Sequence, residues 1–234
     1  MVRHLFAVSM LAMAAAAAAP ARANDRVALD GFAIDRTETT IGAFRAFIEA
    51  RRVTTAAERD GGGFEFAGGW IRRPGWSWAT PFGRPGADDE PAVHVSWQEA
   101  SDYCAGIGGR LPTLDEWQRA AHTEMRANPS DGFVRGRSYA YPVGDSPEGM
   151  NAAAADPWPR HAPAGATRRG VNGLQEMGAN VWEWLADRRG DSALTAGGSW
   201  WYGPDKARAD AAQWKPADFY AVYVGFRCVY DLDR

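Results

Sequence analysis

Residues 170–201 read GVNGLQEMGANVWEWLADRRGDSALTAGGSWW, and this stretch decides the fold. Four tryptophans (Trp182, Trp184, Trp200 and Trp201) surround a short acidic segment that closes on a Gly-Gly-Ser turn. Large aromatics beside glycines point to a fold of packed loops rather than long helices or a broad sheet. Glu176 and Glu183 stand seven residues apart with backbone carbonyls between them, a spacing that suits a hard cation. The plainer reading puts the tryptophans in the core and the glutamates in solvent.

Upstream, residues 1–23 carry a basic start at Arg3 and His4, an apolar run from Leu5 to Ala19 and an A-x-A signal at Ala21-Arg22-Ala23. This reads as a signal peptide, leaving 24–234 as one exported domain, periplasmic or secreted, with no membrane span after cleavage. Cleavage removes two arginines and no acids, so the net charge moves from -3 to -5, which argues against nucleic acid or an anionic membrane as partner. The only lysines are Lys206 and Lys215. Two cysteines, Cys104 and Cys228, stand without CxxC spacing. Either they pair or each is a buried thiol, and export favours the bridge.

Between these landmarks the chain is loop-rich. Phe32 to Asp35 reads as a strand, followed by a helix capped at Thr39 or Thr40 with Ile41, Phe44, Phe47 and Ile48 at helical spacing. The Gly, Pro and Trp-rich run to residue 90 predicts loops with two short hairpin-like pieces. Val93 to Val95 reads as a strand. Ser96 with Glu99, and Thr113 with Glu116, are capping boxes that open two helices, the first with Tyr103, Cys104 and Ile107 on its apolar face and Gly108-Gly109 as its stop. Residues 123–169 read as loop. The tail AVYVGFRCVYD reads as a final alternating strand.

Taken in order, FAIDRTETTIGAFRAFIEA, PAVHVSWQEASDYCAGIGGRLPTLDEWQRAA, YPVG, NGLQEMGANVWEW, AGGSWW and VGFRC resemble the formylglycine-generating enzyme (sulfatase-modifying factor) family across roughly residues 27–231. The resemblance implies an α+β, C-type-lectin-like domain, loop-rich and poor in regular secondary structure. It also implies the Cys104–Cys228 disulfide and a structural calcium held by the side chains of Glu176 and Glu183 with the carbonyls of Ala179 and Val181. Most family sequences carry glycine where Ala179 stands. Periplasmic pyoverdine-maturation-type and nitrite-reductase-associated members are similar as well.

The departures are as informative as the matches. Oxidase members carry two copper-binding cysteines at the third and eighth residues after the GGS serine, and those places here are Tyr202 and Ala207. Cu(I) needs thiolate or thioether ligands, so no copper and no cysteine-to-formylglycine oxidation are expected. His94, His122 and His161 lack the spacing of a metal triad. Ser199 in GGSWW is not a G-x-S-x-G elbow, so a structural turn is favoured over a nucleophile. The sequence therefore predicts an exported maturation factor working in a groove near Trp182, Ser199 and Tyr202 on a peptide-derived or small substrate. Its redox cofactor, if any, is unspecified. The rival is a non-catalytic binding or assembly protein that uses the same surface to hold a partner.

Overall fold

A computed structural model describes residues 25–153 and 156–232, so the expected signal peptide lies outside the described residues. Four short polar side chains set the helix starts. Thr40 caps α1 (Ile41–Arg51) by accepting from the Ala43 N–H at 3.3 Å. Reciprocal capping boxes at Thr55, Ser96 and Thr113 open α2 (Ala56–Arg59), α3 (Trp97–Gly106) and α4 (Leu114–His122). Each box satisfies N–H groups that a helix start otherwise leaves unpaired.

The strands fall into three small sheets. β1 (Arg26–Ala28), β2 (Phe32–Asp35) and β9 (Val229–Asp231) form an antiparallel sheet with β2 in the centre. β3 (Gly62–Phe66) and β4 (Trp70–Pro74) form a hairpin. β5 (Trp182–Arg189) lies between β6 (Ser192–Ala196), which is antiparallel to it, and β8 (Val224–Gly225), which is parallel, while β7 (Gln213–Pro216) completes the far edge beyond β6. The architecture is α+β and loop-rich, as expected.

Four local readings are corrected. The two hairpin-like pieces are the arms of one hairpin, β3 and β4. Val93 to Val95 is not a strand, because His94 sits at φ +56 and its N–H goes to the Ala221 carbonyl instead of a ladder. Ile107, placed on the apolar face of α3, is 38% exposed because it lies past the last turn as the C-cap. The tail is two strands in two sheets: after β8 the chain crosses over, and the Cys228 carbonyl accepts from the Asp35 N–H at 3.0 Å before β9 begins. Every residue from Tyr220 to Tyr230 is buried, so burial on all sides replaces the expected alternation.

The main core packs α1 and α3 against β5 and β8 through Phe44, Tyr103, Trp182, Trp184 and Phe226. A second cluster seats Trp117 of α4 against Leu174, Leu185 and Leu194. Cys104 and Cys228 are bonded, tying α3 to the crossover between β8 and β9.

Candidate functional site

The site is built where β5 begins, and the residues before β5 explain why it begins there. Glu176, Ala179 and Asn180 all adopt left-handed backbone, at φ +54, +63 and +52. A β-carbon makes that region costly, so the turn must be held from outside. The Ala179 N–H donates to the Gly197 carbonyl at 2.7 Å, and the Asn180 carbonyl accepts from the Trp200 N–H at 2.9 Å. The Asn180 side chain accepts from Asn151 Nδ2 and the Ala162 N–H and donates to Glu38 Oε2 at 2.6 Å. Alanine thus keeps a left-handed turn that glycine would adopt freely.

Opposite this turn, β6 is followed by Gly197 and Gly198 at φ +95 and +76, values that any side chain would resist. A β-carbon on Gly198 would also meet Lys206 at 2.9 Å. This bend lays Ser199, Trp200, Trp201 and Tyr202 across the start of β5. Tyr202 packs edge-on against Trp182 with ring centroids 5.7 Å apart, and its N–H donates to the Ser199 carbonyl at 2.9 Å. The three expected groove residues are therefore neighbours. Trp182 and Ser199 are almost fully buried, and neither Trp182 Nε1 nor Ser199 Oγ has a hydrogen-bond partner among the described residues. With no base on its hydroxyl, Ser199 is not set up as a nucleophile. Burial pushes the Tyr202 phenol above its ordinary pKa, so it stays protonated near neutrality.

A further residue completes the group. Lys215 Nζ lies 4.0 Å from the centre of the Trp182 ring and donates to Thr195 Oγ1 at 2.8 Å. Burial lowers its pKa from 10.5 to about 7. Nothing in the sequence singles out this lysine except that only one other exists. On the outer side, Trp200 and Trp201 lean on Tyr223, and a recess of about 480 Å³ opens between them, Trp158 and Asp156.

The glutamates expected to hold calcium are buried, against the plainer reading of them as solvated, but both are already engaged. Glu183 receives Arg227 Nε at 2.8 and 3.0 Å, Arg227 Nη2 at 2.7 Å and Trp117 Nε1 at 2.8 Å. Glu176 receives the Gly165 N–H, the Thr167 N–H and the Thr167 hydroxyl at 2.7–3.0 Å. A guanidinium thus stands where the resemblance implied a divalent ion, and a cation binding Glu183 would have to share it with Arg227. As folded, this donor set with Ala179 and Val181 does not fit calcium. A third buried carboxyl, Glu38, accepts from the Val181 N–H at 3.1 Å. Burial, together with the charges of Glu176 and Glu183, raises its pKa well above the usual carboxylate range.

Copper fares no better. Both cysteines are in the disulfide, Tyr202 presents a phenol, and Ala207 is buried in a satellite cluster with Val143 and Met150. The histidines serve elsewhere: His161 Nε2 meets Glu90 at 2.7 Å, His122 Nδ1 faces the Tyr139 carbonyl, and burial drops the His94 pKa to about 4. Among the described residues no three histidines, cysteines or acids cluster as a metal site.

Comparison with known proteins bears directly on this arrangement. The profile described as a sulfatase-modifying factor enzyme 1-like domain matches residues 8–232. The formylglycine-generating enzyme of Thermomonospora curvata is 30% identical, over 88% of this chain and 84% of that protein. The inactive C-alpha-formylglycine-generating enzyme 2 of Mus musculus is 30% identical, over 92% of this chain and 79% of its own. Among solved structures, PvdO from Pseudomonas aeruginosa superposes with a TM-score of 0.64 at 18% identity, covering 86% of this chain and 80% of that one, a likeness of fold.

Proposed function

Because the chain belongs to the sulfatase-modifying factor enzyme 1-like family, we propose that it is an exported maturation factor acting on a peptide-derived or small substrate at Trp182, Ser199 and Tyr202. We place it outside the cysteine-to-formylglycine oxidases. The observation that carries this reading is the site itself: Tyr202 and Ala207 stand where the copper cysteines would be, and Cys104 and Cys228 are locked together. A phenol with a pKa of about 10 is a hard ligand and a methyl group is none. Any oxidation performed here needs a different redox group in the groove. Export rests on the leader read in residues 1–23.

The test is mass spectrometry of a cysteine-containing sulfatase-type peptide incubated with copper-loaded protein, oxygen and reductant. No aldehyde product is expected. Conversion over multiple turnovers would overturn the reading.

A binding or assembly role is the second reading, and one observation favours it. Phe66, Trp70, Phe219, Tyr223 and Trp201 form a chain of ring contacts at 4.8–6.2 Å, with Trp70 and Trp201 each about half exposed. Exposed aromatics in one patch mark contact surfaces. Purification with a stoichiometric redox metal or cofactor supports the enzyme, and purification without one supports the assembly protein.

A further inference from the structure

Lys215 is out of place by the usual rules. Lys215 is half-buried, and a lysine with a desolvated ammonium ordinarily pairs with a carboxylate. The other lysine, Lys206, is partly exposed and still meets Asp205 at 3.0 Å. Lys215 has a hydroxyl and a ring face instead, and desolvation alone perturbs it, with no acid contributing. Thr195 cannot supply more, since its hydroxyl hydrogen goes to the Gln213 carbonyl at 3.0 Å.

The groups reached from this ammonium through Trp182 are donors too. Trp182, whose ring it covers, has a buried Nε1–H with no acceptor. Tyr202, packed on the same indole, keeps its phenolic proton. Ser199, which accepts the Tyr202 N–H, has a buried hydroxyl without a partner. The nearby charged side chain of Arg189 lies over Trp214. Trp214 precedes Lys215 on β7 and so points to the opposite face. Among the described residues no carboxylate bonds to any of these donors, and buried donors are ordinarily satisfied.

We propose that Lys215, with Trp182, Ser199 and Tyr202, forms a binding site for a monocarboxylate with an apolar body. A carboxylate offers two oxygens with about four acceptor positions, enough for an ammonium and neutral donors together. Its single charge matches the single lysine, whereas a phosphate is better served by arginine forks or backbone nests. The aromatic walls suit the apolar body. This assignment rests on the reading of the groove as the working face and names the chemistry of what enters it.

With only two lysines in the chain, reductive methylation with ¹³C-formaldehyde gives two side-chain signals, assigned with the Lys215→Met variant. Benzoate is the probe, and inorganic phosphate and chloride are the controls. Millimolar benzoate should shift the Lys215 signal saturably and raise its titration midpoint, while phosphate and chloride leave it in place. On unmethylated protein, benzoate affinity should fall about tenfold per pH unit above the Lys215 midpoint, since only the ammonium binds. It should fall at least about tenfold in Lys215→Met and be restored in part by Lys215→Arg. A Lys215 signal that ignores benzoate in folded protein, or moves equally with all three anions, would overturn the proposal. Benzoate binding with no turnover of any peptide would sink only the catalytic reading, and formylglycine formation would sink only the exclusion of oxidase chemistry.

Discussion

Arg227→Met tests the network beneath the groove. The guanidinium is fully buried and donates to Glu183, to the Asp35 and Arg36 carbonyls at 3.1 and 3.0 Å, and to the Gln175 carbonyl at 2.9 Å. Methionine fills much of the volume but supplies no charge, leaving Glu183 buried beside Glu176 and Glu38. Breaking a buried pair from one side costs about 3–5 kcal/mol. The three orphaned carbonyls bring the expected loss to roughly 4–6 kcal/mol. At about 2–4 °C per kcal/mol for a chain of this size, the melting temperature should fall by about 8–24 °C. The sign with pH is fixed. Burial and the neighbouring glutamates already hold Glu38 well above the usual carboxylate range, and losing the Arg227 charge that opposes this pushes it further up, so the folded state takes up the proton preferentially. The deficit should therefore narrow as pH falls through the acid range. Adding Glu183→Gln to Arg227→Met should restore part of the loss. Urea unfolding at several pH values measures all of this. A loss under about 1 kcal/mol, or a double variant no better than the single one, would refute the argument that charge pairing holds this junction.

Non-reducing peptide mapping should recover the Cys104 and Cys228 peptides linked; two alkylatable thiols in denatured, unreduced protein would contradict the bridge. The chain-entropy relation for a loop of this size puts the loss on reduction at about 4–5 kcal/mol at most. Metal analysis after dialysis should find no calcium, and EDTA should leave the melting temperature unchanged because Arg227 supplies the charge at Glu183; stoichiometric calcium would show that the glutamates rearrange. Burial lowers the Lys215 pKa on folding, so the unfolded chain binds the extra proton between pH 7 and 10.5 and the folded state gains stability as pH rises across that window. Lys215→Met should therefore be more stable than the parent near pH 7, by about 2–3 kcal/mol after allowing for partial solvent access, and the gap should close toward pH 10.

What could be read in the sequence was local. The capping boxes at Ser96 and Thr113 act within four residues, and the structure contains both. The order of the motifs fixed the family, and with it the fold. What escaped was set by partners far along the chain. Glu38 meets Asn180 across 142 residues, and Arg227 meets the Asp35 carbonyl across 192. The sequence could not weigh the expected calcium set for the same reason, since no pattern inside EMGANVWEW reveals that a guanidinium arrives from the GFRC segment. His94 turned a predicted strand into a left-handed corner because its N–H found the Ala221 carbonyl. Lys215 gained its character only when Trp182 and Thr195 closed over it.

The Cys104–Cys228 bond has an outcome for anyone handling the protein. The two sulfurs are 124 residues apart in sequence, and the long loop run 123–169 falls between them. A protease that nicks one of its exposed turns, such as Asp131-Gly132, makes two chains that remain one covalent particle. On a gel without reductant, or by size, such a sample is indistinguishable from intact material; only thiol treatment releases its halves. The groove residues Trp182, Ser199, Tyr202 and Lys215 all follow that cut, while Arg227 reaches across it to the Asp35 carbonyl, so in a nicked molecule the disulfide holds the groove fragment on the part that supports it.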